Sequence, residues 1–313
     1  MTVHRRYQLA ALGLLVVAGI VRAPVEQALT EDLREKQLLQ RPLDLGVRKK
    51  LGQGFWAVSL GGLRTLVATV LNLRAFAQFE NYEWTKVADS YETIVQLAPH
   101  TAYYWETGSW HMAYNAAAYY DRNDLGLPDL RARAEWERWI RKGAAFLEEG
   151  VRQNPDSALL WSRLGWLYVD PNKIHDYDRA AEAFGRAVAT GDALPYIRRF
   201  EAMAMARSEK YIDDALPLVR RIMAEDGGAP PTLLCLRFAL EHRENPDIDS
   251  DALALELFRT RENAYRQLGD HFLDIRGDYP MNGVASYLRK LERTLEIPED
   301  DSVFRARESL ENR

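Results

Sequence analysis

The sequence predicts an all-α protein built from stacked helical hairpins, and three observations predict it. Alternating β-branched runs are nearly absent, while Ala, Leu, Arg and Glu dominate. A stretch occurs twice: Pro99-His-Thr-Ala-Tyr-Tyr-Trp105-Glu-Thr-Gly-Ser-Trp110, and Pro155-Asp-Ser-Ala-Leu-Leu-Trp161-Ser-Arg-Leu-Gly-Trp166. Each copy follows a similar segment, Tyr91-Glu-x2-Val95-x3-Pro99 or Leu147-Glu-x2-Val151-x3-Pro155. These read as second helices stopped by proline, which cannot continue a helix and biases the residue before it to extended geometry. Self-similarity of this kind marks a repeat architecture.

At the N-terminus, His4-Arg5-Arg6 precedes an uncharged run from Tyr7 to Val21. As a helix it is about 23 Å long, against a hydrocarbon core of about 30 Å; extension to Val25 with Arg22 snorkelling brings it near spanning length. Two readings remain open, a signal peptide cleaved at Val21-Arg22-Ala23 and an uncleaved signal anchor. Pro24 and Arg22 at the cleavage motif favour an anchor over residues 1–25. Both readings put the bulk of the chain on the exported side. The cations Arg22, Arg34, Lys36 and Arg41 run against that orientation, and Glu26, Glu31, Asp32 and Glu35 accompany them. Residues 26–50 are charged, with Leu29, Leu33 and Leu43 along them, and read as a helical linker.

Gly54 to Leu73 is apolar apart from Arg64. As a membrane span it would carry Arg64 at a cost of about 2.5–3.5 kcal/mol, and Arg48-Lys49-Lys50 would lie on the exported side. Leu71 and Ala75 suit the first helix of a repeat, so 54–79 is expected to be a buried or membrane-apposed helix of a domain covering 51–298. The echo recurs at 56 residues. An insertion over roughly 121–134, opening with Asp121-Arg-Asn-Asp-Leu-Gly-Leu-Pro128, is expected to absorb the excess.

The second copy carries the clearest pattern. Trp161-x2-Leu164-Gly165-x2-Tyr168 places Trp, Leu and Tyr on one helical face, with a small residue where a partner helix approaches. Ala180-x3-Phe184 and Ala187 supply the second helix. On these residues the chain resembles the tetratricopeptide repeat family. The resemblance implies that Trp105, Trp161, Leu164, Gly165, Tyr168, Ala180 and Phe184 form the repeat core. In the first copy Trp105, Gly108, Ser109 and Met112 take the corresponding places. The chain departs from the family in its 56-residue spacing, in the insertion Asp170–Asp176, and in having Asp192 where a proline usually follows the second helix. The matches cover about 85–195.

Beyond them, Leu194–Ala206 and Tyr211–Ala224 read as another helix pair, and Asp226-Gly-Gly-Ala-Pro-Pro231 as a loop. Thr232–His242 reads as a helix, and Ser250 as the cap of a helix over 251–268. A last helix is expected at about 283–295, then a charged, frayed tail over 299–313.

Composition narrows the function classes. Apolar residues make up 47% of the chain, and the net charge is −5 with both signs interspersed. That argues against a nucleic-acid partner, which favours a basic stripe. The single Cys235 lies in the apolar run Leu233-Leu-Cys-Leu236 and reads as a buried thiol. The histidines at 4, 100, 111, 175, 242 and 271 lack zinc-site spacing, and neither a phosphate loop nor a nucleophile elbow appears. No catalytic residue, metal or cofactor is therefore assigned. His111 reads as a helix-surface or partner-contact residue, and Glu241-His242-Arg243-Glu244 as a solvated helix end.

The family's inner groove is lined at fixed offsets from the leading Trp. Carried over, these offsets fall on Tyr103, Glu106, Trp110 and Tyr114 in one unit and on Leu159, Ser162, Trp166 and Asp170 in the next. Trp110 and Trp166 thus take equivalent positions. Either they line an open groove or other segments cover them as core. The expected function is a membrane-tethered scaffold whose groove captures a protein segment. An accessory module that binds glycan through its aromatics is the alternative.

Overall fold

The computed structural model describes residues 63–122, 125–226, 229–274 and 278–311. The expected N-terminal anchor, the linker and the first part of the 54–79 segment lie outside them. Every regular element among the described residues is helical: α1 (Arg64–Glu80), α2 (Trp84–Leu97), α3 (Ala102–Trp110), a π-helical segment (His111–Ala116), α4 (Ala117–Tyr120), α5 (Asp129–Gln153), α6 (Ala158–Val169), α7 (Tyr177–Ala189), α8 (Ile197–Met205), α9 (Ile212–Asp226), α10 (Pro231–Glu244), α11 (Ser250–Phe258), α12 (Arg261–Leu273), α13 (Val284–Thr294), a 3₁₀ turn (Glu299–Asp301) and α14 (Val303–Glu311).

Sequential helices pack on one another: α1 on α2, α3 and its π-helical continuation on α5, α6 on α7, and α7 on α8. Small residues set the closest approaches. A Cβ on Gly165 would lie 2.7 Å from the Phe184 ring. In the preceding pair a Cβ on Gly108 would lie 2.7 Å from the Phe146 ring, and one on Gly143 would meet Ala113 at 2.7 Å. Gly108, one position before the expected Ser109, is thus the residue that does for α5 what Gly165 does for α7. Ser109 instead sits across from Gly143. Phe184 is fully buried and bridges onward, with its ring 5.5 Å from Trp166 and 6.0 Å from Phe200 of α8.

The two echoed segments make the same local bond. The Trp105 indole N–H donates to the Pro99 carbonyl, and the Trp161 indole N–H to the Pro155 carbonyl, both at 2.7 Å. Their cover differs. Trp105 is buried against Phe146 and Gly150 of α5. Trp161 is only half-buried, so its place in the core is peripheral. Leu164, Gly165, Tyr168 and Ala180 are buried.

Several boundaries differ from expectation. The loop after α4 ends at Pro128, because Asp129 already starts α5. Residues 129–134 are helical, and the 25-residue length of α5, with the π-helical turn in its partner, takes up much of the long period. The helix expected over 251–268 is two. Arg259 adopts φ +70°, and the Thr260 hydroxyl caps α12 by accepting from the Asn263 N–H at 3.1 Å. Asp249 caps α11, accepting from the N–H groups of Asp251 and Ala252, while Ser250 Oγ meets His242 Nε2 at 2.8 Å. The tail expected to fray forms α14. Phe304 packs on Phe272 at 5.0 Å, and the Arg307 guanidinium donates to the Phe272 carbonyl at 2.7 Å.

Helix α10 is apolar around most of its circumference and is buried on two faces, as such a pattern requires. Leu233, Leu236 and Leu240 join a cluster with α8 and α9, while Cys235, Phe238 and Ala239 join one with α11–α13. Burial raises the Cys235 thiol to about 12, so it stays protonated and inert. Of the helix end expected to be solvated, Arg243 and Glu244 are exposed, while Glu241 and His242 are buried. Glu241 accepts from Arg220 (2.5 Å) and Arg237 (3.1 Å), and His242 Nδ1 meets the Phe238 carbonyl at 2.8 Å.

Gly165→Ala puts a methyl into the Phe184 ring and is expected to destabilise the protein by about 1–3 kcal/mol, read from urea unfolding. Gly185→Ala, whose methyl meets only the Glu201 carboxylate at 3.0 Å, should lose less than half of that.

Candidate functional site

The sequence places Tyr103, Glu106 and Trp110 at spacings of three and four, so they leave α3 on one face. The structure brings them together with Tyr114 of the π-helical segment and Trp166 of α6 around one cleft of about 500 Å³. Its volume lies within the range of ligand pockets. Thr107, Ser109, Leu147, Arg163 and Leu167 complete the lining. Helices α3 and α6 supply the walls, and Leu147 of α5 closes the base. From Tyr103 to Tyr114 the cleft follows α3 and its π-helical continuation for about 16 Å.

The aromatic groups differ in cover. Tyr103 is 54% exposed and Trp110 49% exposed. Trp166 is half-buried, its ring 4.1 Å from that of Phe200 and edge-on to it. Trp110 and Trp166, expected to be equivalent, therefore face the same space with different freedom, because α8 covers only the second. Among the other offset positions, Leu159 is exposed, and the Ser162 hydroxyl is turned back onto the Ala158 carbonyl at 2.7 Å. Burial, and after it Asp170 hydrogen-bonded to the Tyr114 hydroxyl, pushes that phenol upward. The Lys173 ammonium sits 4.7 Å over the Tyr114 ring.

An ion pair crosses the cleft. The Arg163 guanidinium donates from Nε to Glu106 Oε1 at 2.6 Å. Sequence reasoning selected Glu106 and missed Arg163. The offset rule assigns α6 positions by analogy with α3 and says nothing of which side chain reaches across. An unpaired opposite charge on a neighbouring first helix was the signal available. A partly exposed pair of this kind is worth about 1 kcal/mol or less to stability, so a ligand can exchange it at little cost.

His111 is not on the surface. It is buried beneath the cleft wall, its ring centroid 4.8 Å from Phe79, 5.6 Å from Tyr91 and 5.3 Å from Trp110, and Nδ1 is 3.1 Å from Asn115 Nδ2. Phe79 and Tyr91 come from α1 and α2, which no local spacing relates to position 111. The residue opens the π-helical turn, a feature often found beside functional sites. Burial lowers the imidazole to about 4 and keeps it neutral at pH 7.

On the other side of α6, Tyr168 donates to Glu148 at 2.5 Å, and Arg179 donates to the same carboxylate at 2.7 Å. These bonds tie α5, α6 and α7 together behind the cleft. Among the described residues no three His, Cys, Asp or Glu side chains gather where a metal ion would fit. The cleft presents aromatic faces, a charge pair and hydroxyls, which suits it to binding.

His111 predicts a pH dependence. Its folded value lies below the unfolded 6.5, so the unfolded chain binds the extra proton first, and stability falls as pH drops from about 6.5 towards 4. The loss attributable to this group is expected to reach at most about 3 kcal/mol. His111→Phe should flatten that part of the curve in urea titrations at stepped pH.

No family model and no curated protein matches this chain.

Proposed function

We propose that the helices stack as a tetratricopeptide-like solenoid, and that the protein is a scaffold whose cleft captures a segment of another protein. In this reading the N-terminal run Tyr7–Val21 tethers the chain to a membrane, with the remainder on the exported side. The observation that carries the reading is the joint lining of one cleft by Tyr103, Glu106, Trp110, Tyr114 and Trp166. Large aromatics in a concave setting are frequent interface anchors. The length of about 16 Å accommodates about five residues of extended peptide at 3.3 Å each. The captured segment offers a bulky apolar side chain to Trp110 and Trp166, and a carboxylate that replaces Glu106 on Arg163.

A second reading rests on a separate feature. Tyr103 and Trp110 are half-exposed, and Glu106 and Arg163 stand beside them. Exposed rings next to planar hydrogen-bonding groups also suit the faces and hydroxyls of a sugar.

Copurification from detergent-solubilised membranes separates the two. A stoichiometric protein partner is expected, and Trp110→Ala should weaken its capture at least tenfold with little change in thermal stability, since the ring is half in water. Arg163→Glu, which repels Glu106 and an incoming carboxylate alike, should weaken it further. Absence of a partner, together with quenching of tryptophan fluorescence by cell-wall fragments, would favour glycan binding.

A further inference from the structure

The segment 278–283, just before α13, is tied to helices far from it in sequence. Gly283 seats one end, since a Cβ there would lie 2.3 Å from the His242 ring of α10. Met281 packs on the cluster that joins α10 to α11–α13, and Tyr279 on the one shared by α8, α9 and α10. The Arg207 guanidinium, between α8 and α9, lies 4.5 Å from the Tyr279 ring and 4.5 Å from the ring of Tyr177 on α7. The Tyr177 hydroxyl in turn donates to Asp278 Oδ2 at 3.0 Å, across 101 positions of sequence. The segment is therefore a strap that runs from the last helices to the loop between α6 and α7.

His175 stands where the strap meets that loop, and its neighbours ask for more protons than a neutral ring holds. Nε2 is 3.0 Å from the Asp170 carbonyl, which can only accept, so Nε2 carries a proton. Nδ1 is 3.3 Å from the Tyr177 hydroxyl oxygen and 3.8 Å from Asp278 Oδ2. Burial, and after it the bond to Asp278, pushes the Tyr177 phenol up to about 12, so the hydroxyl keeps its one proton. While that proton goes to Asp278, a neutral imidazole turns its Nδ1 lone pair towards a hydroxyl oxygen and a carboxylate. A second ring proton removes the conflict. Nδ1–H then donates to the Tyr177 oxygen, and the imidazolium faces Asp278 as a charge pair.

The other charges around His175 are mixed in sign. Arg141 and Glu148 of α5, and Asp176 and Arg179 at the start of α7, line a cavity of about 280 Å³ with it. Asp170 and Lys173 share its loop, and Arg207 is the further cation, over the Tyr177 ring. Two more histidines touch the strap. His242 lies under Gly283 with its nitrogens on the Phe238 carbonyl and the Ser250 hydroxyl. His271 of α12 is buried, with Nε2 3.2 Å from the Pro280 carbonyl and its ring 5.6 Å from that of Tyr279. Burial, opposed by that bond and by Asp274, lowers it, so charging His271 in acid would loosen the strap. Protonation of His175 acts in the opposite sense. We propose that His175 is a proton-operated latch, which binds the 278–283 strap to the α6–α7 loop when charged and relaxes that hold when neutral. Asp170, whose carbonyl His175 holds, also bonds the Tyr114 hydroxyl at the end of the cleft. On the capture reading, that end of the cleft is steadied as the latch closes.

The test uses the full chain with nitroxides on Asn172→Cys and Asn282→Cys, both exposed positions; Cys235 is buried and stays in place. Pulsed electron resonance reads the distance between the loop and the strap at pH 5.5 and pH 8, either side of the range in which histidines titrate. One narrow distance is expected in acid. A second, longer component should grow severalfold at pH 8. His175→Gln keeps a donor for the Asp170 carbonyl but takes up no proton, and should give the same distribution at both pH values with unchanged circular dichroism. Asp278→Asn removes the charge that the imidazolium faces and should remove most of the pH effect. A parent chain whose distances do not change with pH overturns the proposal, as does a pH effect that survives His175→Gln. Broadening on acidification also overturns it, since that sign belongs to His271. No partner enters the measurement, so the latch and the capture of a partner fail separately.

Discussion

The close approach of α3 to α5 and of α6 to α7, permitted in each pair by a missing Cβ, is the constraint on which the rest of the structure depends. Gly165 lets the Phe184 ring into contact with the α6 backbone, and Gly108 does the same for Phe146. With the rings seated there, Phe184 reaches Phe200 of the next helix, and Phe146 reaches the indole of Trp105. Each ring therefore holds its own pair and locates a neighbour. Interiors packed as tightly as this transmit a small displacement to the next layer. The spacing of α3 and α6, and hence the width of the cleft between them, follows from where those rings sit.

Electrostatics divides along the same lines. The buried Glu241 carboxylate, held between Arg220 and Arg237, keeps helices in register, and removing either cation would leave a carboxylate largely out of water with less to balance it. The Arg163–Glu106 pair is different, because it is partly wet and spans open space. That contrast supports treating the cleft pair as exchangeable in the proposed capture of a partner. Beneath it, neutral His111 gives the wall an apolar backing that Trp110 leans on.

The sequence by itself determined the helical character of the chain, the tandem Trp segments and the residues of the α3 face. These follow from periodicity and turn chemistry, which act over a few residues. It marked Gly165 as the place where a partner helix comes close and put Phe184 on that helix; that the ring seats against this glycine is a result of the packing. Only the tertiary structure decided that Gly108, one position before Ser109, meets the incoming ring, that Arg163 crosses to Glu106, and that α8 covers Trp166 while Trp110 stays half in water. It also decided that His111, Glu241 and His242 are buried, and that the last charged segment docks as a helix. Each of those outcomes depends on a side chain brought in from another helix. Local spacing fixes the direction in which a residue leaves its own helix; what it meets there is set by the packing of the others.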